Sequence, residues 1–363
     1  MRSAMDAMEL VGALVAIDSV NPSLVEGGAG EGEIAAFVAS WATAAGLEVQ
    51  RFEGARPSVV VRAPGSGGGR SLLLCGHLDT VGVEGMTDPF VPRVDGDRLF
   101  GRGAYDMKAG LAACLLACRE ALGHRLRGDV IVAAVADEEH ASLGVQEVLA
   151  SVRADAAIVT EPTHGEIVVA HKGFVWSELT VHGRAAHGSR PDLGVDAIVA
   201  AAPVLTRLGE LDAALGTATH PLLGRGSVHA SLISGGDELS TYPARCVLSL
   251  ERRTLPGETS LDAEIAGLLA GVDGSSRTLL VREPFAVSPD AEIVSLVRAA
   301  SGGAPLVGAP YWTDAAFIAA AGIPTLLYGP GGEGAHAVEE WVSLADTEAV
   351  TRVLVDVAAK LCA

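Results

Sequence analysis

The chain is poor in aromatic and in basic residues. Phe, Trp and Tyr make up 4% of its 363 residues, whereas apolar residues together reach 49%. That balance favours an α/β protein rich in Val, Ala and Leu, because parallel sheets are covered on both faces. The 26 Lys and Arg residues are outnumbered by 45 Asp and Glu, which gives a formal net charge of −19. Such a surface repels phosphate backbones and anionic lipids, so no nucleic acid or membrane partner is expected.

Long apolar runs and cysteine pairs are also missing. Charges at Asp6, Glu9 and Asp18 interrupt the N-terminal stretch, which therefore predicts an amphipathic helix rather than a secretory signal. No uncharged apolar run of about 18 residues predicts a membrane span. The five scattered cysteines favour buried free thiols in a reducing cytoplasm over disulfides. Cys114 and Cys118 would share a helix face, but without a second pair they predict no zinc site.

Two kinds of pattern divide the chain, which is longer than one hydrophobic core usually serves. Over residues 1–171 and 284–363, apolar strands alternate with helical segments, which predicts a doubly wound, mainly parallel sheet. Over residues 172–283, polar and apolar residues alternate along strands, and long helices are predicted at about 194–215 and 260–271. We therefore predict an α+β domain of β-α-β-β-α-β order inserted into a larger domain through two linkers that could hinge.

Polar residues follow several of the predicted strands. The strand LLLCGH ends on His77, and Asp79 lies two residues further on. Side chains two apart on extended backbone share a face, so Asp79 could hold one ring nitrogen of His77 while the other binds a metal. An isolated His-x-Asp is more often a polar loop after a strand. The motif by itself therefore indicates little.

Other strand ends strengthen the metal interpretation. Asp106 precedes a helix in GRGAYDMKAG, Glu138 and Glu139 follow DVIVAAVA, Glu161 follows AAIVT, and His336 ends a glycine-rich turn. Each has an ordinary explanation as a helix cap or a solvated residue. Open α/β sheets, however, bind ligands beyond the carboxyl ends of their strands. Because every candidate residue that the strands bring to that edge is a His, Asp or Glu, the set favours a metal site.

The number of candidate ligands favours two ions. Two histidines and three carboxylates exceed the three protein ligands that a catalytic zinc usually takes. If Asp106 bridges two ions, the other four ligands divide into one histidine and one carboxylate for each, as in two-metal hydrolases. Glu138 and Glu139 point in opposite directions on extended backbone. One of them would bind metal, and the other would remain free to move a proton.

The chain resembles a known family over about residues 8–360. The motifs are GHLDTV, GRGAYDMKAG, ADEEHASLG, TEPT, GRAAHGSRP, ERRTLPGE and GAHAVEEWV. They are similar to those of the family that includes acetylornithine deacetylase, succinyl-diaminopimelate desuccinylase, aminoacylase and glutamate carboxypeptidase. The resemblance implies a zinc-peptidase-like catalytic domain, with residues 172–283 forming a ferredoxin-like lid or dimerisation domain. It also implies hydrolysis of the amide bond of an N-acyl amino acid by a metal-bridged water.

The same resemblance implies roles for individual residues. His77 and Glu161 would hold one metal ion, Glu139 and His336 the other, and Asp106 would bridge them. The ions would be zinc, with cobalt or manganese as alternatives. Asp79 would orient His77, and Glu138 would be the general base.

Three residues outside the predicted metal site also match or depart from the family motifs. His187 matches a histidine that donates to the substrate carbonyl oxygen, often across a dimer interface. Arg253 matches an arginine that binds a substrate carboxylate, a role suited to a planar bidentate donor. Its neighbour Arg252 would point the other way and pair with a surface acid. Ser240 stands where the family often has Asn as a further carboxylate contact, so the carboxylate could be held differently.

Several alternatives remain open at this stage. Within the family, a metallo-carboxypeptidase or dipeptidase competes with a deacylase. A non-catalytic metal- or ligand-binding paralogue should have lost Glu138 or a ligand, and none is missing. A barrel-type amidohydrolase would favour His-x-His after the first strand and an unbroken βα repeat, and neither is present. We expect a cytoplasmic dizinc amidohydrolase that acts on a small N-acyl amino acid or dipeptide and forms a homodimer through the inserted domain.

Overall fold

The structure is a computed structural model that describes residues 5–54, 56–259 and 261–363. The first four residues of the predicted N-terminal helix and Ser260 of the helix predicted at 260–271 lie outside these ranges. The chain divides into two compact units. The larger comprises Met1–Val169, Val287–Val307 and Thr313–Ala363, and the smaller comprises Ala170–Ala286 and Gly308–Trp312. The sequence pattern did not predict that residues 308–312 join the smaller unit.

The helices are α1 (Ala7–Val15), α2 (Gly32–Ala44), α3 (Ala109–Ala121), α4 (Leu143–Leu149), α5 (Ala197–Ala200), α6 (Ala202–Leu215), α7 (Leu261–Gly267), α8 (Glu292–Ala300), α9 (Ala315–Ala320) and α10 (Leu344–Leu361). A distorted helical turn, Ala104–Lys108, precedes α3. The strands are β1 (Glu48–Phe52), β2 (Ser58–Ala63), β3 (Leu72–His77), β4 (Arg93–Asp95), β5 (Arg98–Phe100), β6 (Val130–Val135), β7 (Ala156–Val159), β8 (Ile167–His171), β9 (Gly173–His182), β10 (Thr219–His220), β11 (Gly224–Arg225), β12 (Ser227–Gly235), β13 (Arg245–Thr254), β14 (Gly274–Arg282), β15 (Phe285–Ala286), β16 (Leu306–Ala309), β17 (Thr325–Leu327), β18 (Gly332–Glu333) and β19 (Trp341–Ser343).

The larger unit is built on a mixed sheet with the strand order β1-β2-β6-β3-β7-β17-β8. Its centre, β6-β3-β7-β17, is parallel, and the flanking pairs are antiparallel. Every residue of β3, β6 and β7 is buried, as expected when helices cover both faces of a sheet. The late strand β17 lies between β7 and β8. The predicted fold class is confirmed.

Helix α3 carries much of the larger unit's core, because all but two of its residues are buried and it packs against α1 and α10. The N-terminus of α1 is fixed by a capping box, in which Asp6 and Glu9 each accept the other's main-chain N–H. Helix α3 also packs against the parallel strands β3 and β6.

The smaller unit contains an antiparallel sheet of order β12-β13-β9-β14, with α5, α6 and α7. This arrangement is the predicted ferredoxin-like one, and β9 alternates between buried and more exposed residues. The helix predicted at 194–215 is instead two helices. Asp196 caps α5, and Pro203 lies in the first turn of α6, where the missing N–H of proline does least harm.

Among the described residues, no helix combines the length and apolar character needed to cross a membrane. All five cysteines are buried free thiols, as the sequence predicts.

Candidate metal centre

The carboxyl ends of the central parallel strands bring the candidate ligands together. His77 is the last residue of β3, Glu139 follows β6, and Glu161 follows β7. Asp106 comes from the distorted turn before α3, and its peptide bond to Met107 is cis. His336 lies in the turn between β18 and β19. These five side chains form two groups of possible metal ligands that share Asp106.

The first group contains His77, Asp106 and Glu161. Nε2 of His77 lies 3.2 Å from Oδ1 of Asp106 and 4.0 Å from Oε1 of Glu161. The His77 and Glu161 side chains are almost fully buried, with 1% and 6% exposure. The group is therefore shielded from bulk water.

The second group contains Asp106, Glu139 and His336. Nε2 of His336 lies 3.4 Å from Oδ2 of Asp106 and 3.2 Å from Oε2 of Glu139. Asp106 thus presents one carboxylate oxygen to each group. The His336 side chain is 55% exposed, which leaves this group the more accessible of the two.

The residues fit two divalent cations. Each group offers one imidazole and two carboxylates, the three protein ligands that a catalytic zinc site takes before water or substrate. Oε1 of Glu139 is also buried with no hydrogen-bond partner in the described part of the chain. A buried carboxylate oxygen without a donor is costly, and a cation would satisfy it.

The electrostatics of the metal-free groups point in the same direction. Burial raises the pKa of Glu161 and of Glu139 above the usual range. Burial opposes ionisation of Asp106 as well, but hydrogen bonds from His336 and His77 hold its pKa below the usual value. Hydrogen bonds to Asp106 and Glu139 raise the pKa of His336 to about 10. The carboxylates therefore attract positive charge, which protonated histidine supplies when no metal is bound.

Asp79 is buried beside His77, and its main-chain oxygen makes a shorter contact with the ring than its carboxylate does. Nδ1 of His77 donates to the main-chain oxygen of Asp79 at 2.9 Å, whereas the Asp79 carboxylate lies 3.8 Å from that nitrogen. The carboxylate accepts instead from the main-chain N–H groups of Glu138 at 3.1 Å and Glu139 at 3.2 Å. Asp79 therefore fixes both the ring of His77 and the segment that carries the two glutamates.

Glu138 lies beside the first group without belonging to either ligand set. Burial, and next the negative charge of Glu161, raise its pKa well above the usual range. Asp314, which is 1% exposed, adds to the rise for Glu138 and Glu161. Asp314 could not be predicted from the sequence, because an acid at the start of a helix resembles a cap, yet its side chain makes no capping hydrogen bond to α9.

A second layer of polar side chains supports Asp79. Nδ2 of Asn21 donates to Asp79 at 2.8 Å and to Asp137 at 3.0 Å, and Asn21 is fully buried. Arg56 pairs with both Glu31 and Asp137. The only sequence signal for this layer was the pair Asn-Pro after the first helix, which is equally typical of a turn.

Close packing of α3 places Glu161. A Cβ on Gly110 would lie 2.0 Å from the main-chain oxygen of Thr160, so only glycine allows the helix to approach the end of β7 this closely. Thr160 immediately precedes Glu161. The close approach of α3 at Gly110 thereby helps to set the position of Glu161.

His187 and Arg253 belong to the smaller unit. His187 is exposed, and its Nδ1 accepts the main-chain N–H of Ser189 at 3.1 Å. His187 forms an isolated antiparallel β-bridge with Thr241, and the main-chain N–H of the neighbouring Gly188 donates to the main-chain oxygen of Ser240. The structure therefore brings the predicted donor histidine next to the position that departs from the family pattern.

The two adjacent arginines on β13 have different environments. Nε of Arg253 donates to Glu251 at 2.7 Å, and its guanidinium lies over Phe174. Arg252 is almost fully buried and pairs with Glu258 and Glu264. Arg252 therefore makes a structural ion pair, whereas Arg253 remains one-third exposed.

A buried sheet edge that presents two histidine–carboxylate groups around a shared aspartate is typical of metal-dependent hydrolases. Residues 73–360 match the model of Peptidase family M20/M25/M40. An acetylornithine deacetylase from Proteus mirabilis is 30% identical over 98% of this chain and 96% of its own length. The chain therefore belongs to this family of metallohydrolases, as its motifs predict.

Solved structures share the fold at lower identity. The aminopeptidase PepT from Bacillus cereus is 20% identical, with a TM-score of 0.81 over 99% of this chain and 100% of its own. A Bacillus subtilis protein described as a dinuclear metal binding peptidase is 16% identical, with a TM-score of 0.75 over 98% of this chain and 97% of its own. These likenesses confirm the fold, and both proteins are described as peptidases.

Proposed function

We propose that the chain is a two-metal hydrolase that cleaves the amide bond of N-acyl amino acids. The observation that carries the proposal is the arrangement of Asp106, whose two carboxylate oxygens face different ligand groups at 3.2 Å and 3.4 Å. Deacylation is favoured over peptide cleavage because the more similar relatives, at about 30% identity, are named acetylornithine deacetylase.

In this proposal, His77 and Glu161 would hold one ion, Glu139 and His336 would hold the other, and Asp106 would serve both. Zinc is the proposed native metal, since imidazole and carboxylate ligands with an open position suit it, and cobalt or manganese would fit the same donors. The bound ions would lower the pKa of a water molecule and polarise an amide carbonyl.

Glu138 is the proposed general base and acid. It accepts a proton from the attacking water and transfers it to the nitrogen of the leaving amine. The bond from its main-chain N–H to Asp79 holds the residue in place, and the partly buried position limits competition from bulk water.

His187 is the proposed donor to the substrate carbonyl oxygen. Because the N–H of Ser189 donates to Nδ1, the neutral ring carries its proton on Nε2. That N–H can stabilise the negative charge that the carbonyl oxygen gains during the reaction. Arg253 is the proposed contact for the substrate carboxylate.

We further propose that the chain forms a homodimer through the smaller unit, in which His187 serves the partner's site. Strand β12 is an edge of its sheet, and Leu232 and Ile233 on it are 70% and 58% exposed. An open apolar edge can be buried by two-fold pairing with its copy. If His187 acts in trans, mixing His187→Ala with Glu138→Gln under subunit exchange should restore up to about a quarter of wild-type activity. No recovery despite proven exchange would refute the trans arrangement.

The main test measures free amine released from N-acetyl, N-succinyl and N-carbamoyl amino acids and from dipeptides, with added zinc, cobalt or manganese. Glu138→Gln should retain both metals and lose roughly 10²- to 10⁴-fold in turnover. Glu120→Gln, at an exposed position on α3, is the matched control and should behave as wild type. A near-normal rate in Glu138→Gln would reassign the base.

The same panel separates the alternatives. Cleavage of dipeptides in preference to every acyl amino acid would favour the peptidase function described for the solved relatives. No turnover by metal-loaded protein would favour a binding paralogue. A cytoplasmic location is proposed on the basis of the five free thiols.

A further inference from the structure

A buried ion pair between Arg102 and Glu340 lies behind the second ligand group. The Glu340 carboxylate is 1% exposed and accepts from Nη1 of Arg102 at 2.6 Å. It also accepts three main-chain N–H groups, from Gly103 and Tyr105 at 2.9 Å and from Asp106 at 3.0 Å. One carboxylate therefore holds the backbone from Gly103 to Asp106, the part of the chain that leads to this candidate ligand.

Arg102 extends the same contacts to two other segments. Its Nε donates to the main-chain oxygen of Gly82 at 3.1 Å, and its Nη2 donates to that of Ala337 at 2.9 Å. Gly82 lies on the loop after His77, and Ala337 immediately follows His336. We call the pair Arg102 and Glu340 the buried clamp. The pair joins three segments: the loop after His77, the turn that carries Asp106 and the segment that carries His336.

The conformation of His336 needs such support. Its φ is 62°, in the left-handed region that residues other than glycine rarely adopt and that persists only where neighbouring contacts impose it. The clamp supplies one of these contacts, since Arg102 donates to the carbonyl of the next residue, Ala337.

We propose that the buried clamp is a positioning device for the second metal ion, because it sets the relative placement of Asp106 and His336. Neither clamp residue belongs to either ligand group, so both act through the ligands. This inference rests on the proposed two-metal site. Removal of one partner of a buried ion pair also destabilises the fold, so zinc affinity has to be compared among variants that are shown to be folded.

The test titrates metal-free protein with zinc by calorimetry or against a chromophoric chelator. Wild-type protein should bind two ions. Glu340→Gln keeps the shape of the side chain but loses the negative charge that accepts four hydrogen bonds. It should lower the affinity for one of the two zinc ions by about 10- to 100-fold, as the loss of a hydrogen-bond partner of a metal ligand typically does. Arg102→Lys, which keeps the charge but cannot reach all three acceptors, should give a smaller loss at the same ion.

Two further variants distinguish positioning from general destabilisation. Glu264→Gln removes a partner of the buried Arg252 in the smaller unit and should leave both zinc affinities unchanged. His336→Ala should itself weaken the binding of one zinc ion. The double variant His336→Ala/Glu340→Gln should lose much less affinity than the product of the two single losses, because both changes act on one ligand group.

The outcomes separate the two proposals. Unchanged zinc affinities in a folded Glu340→Gln or Arg102→Lys protein would overturn the clamp's role while leaving the two-metal site intact. Fully multiplicative losses in the double variant would also overturn it. Wild-type protein that binds no zinc would overturn both proposals.

Discussion

Replacement of Asp79 by Asn should destabilise the larger unit and disturb the second ligand group. The Asp79 carboxylate is fully buried and faces three donors, the N–H groups of Glu138 and Glu139 and the side-chain amide of Asn21. An asparagine has one oxygen instead of two, so its NH₂ group must face at least one of these donors.

The cost can be worked out from those contacts. A hydrogen bond to a charged acceptor contributes about 1.5–3 kcal/mol, and a buried donor left unpaired costs a further 1–3 kcal/mol. Relief of repulsion between Asp79 and the neighbouring carboxylates offsets part of this loss. We expect a net loss of about 2–5 kcal/mol, or roughly 4–20 °C in the unfolding midpoint of a unit of this size.

The assay is thermal unfolding of metal-free protein, followed by zinc titration of the folded variant. Asp129→Asn is the matched control, because Asp129 is only partly buried and accepts from Arg62 at 2.8 Å and from the N–H of Gly65 at 2.9 Å. The Asp129→Asn variant should lose less than about 1 kcal/mol in its free energy of unfolding. A midpoint for Asp79→Asn within 2 °C of wild type would refute the reasoning.

Three further predictions concern thiols, packing and metal. Native protein should not react with a disulfide reagent at pH 8, because the thiols are buried and burial raises the pKa of Cys114 and Cys118 to about 12; five should react after unfolding. Gly110→Ala should lower stability by about 1–3 kcal/mol and weaken metal binding, whereas Gly209→Ala, with open space around it on α6, should stabilise by about 0.5–1 kcal/mol. Chelation should lower the unfolding midpoint of the metal-loaded protein.

The sequence predicted the features that depend on local pattern. Fully apolar runs identified β3, β6 and β7, and the polar residues after them indicated the edge where the ligands meet. Those signals are strong because a buried parallel strand needs a continuous apolar run and must end before a charge.

Contacts between distant segments could not be predicted from pattern. Glu340 resembles its exposed neighbour Glu339 in sequence, yet one is buried under four donors and the other is exposed. The role of Asp79 also depends on where the segment after β6 passes. Only the folded backbone decides whether a carboxylate meets an imidazole or two peptide N–H groups.

The position of β17 has a consequence for how the protein is made. This strand pairs with both β7 and β8, but most of the smaller unit lies between β8 and β17 in the chain. During synthesis, β7 and β8 therefore leave the ribosome long before the strand that fills the gap between them. Their open edges can pair wrongly in that interval, and the non-local pairing that ends it is slow. His336 follows β17 in the chain, so the complete set of candidate ligands can assemble only after this strand has been synthesised.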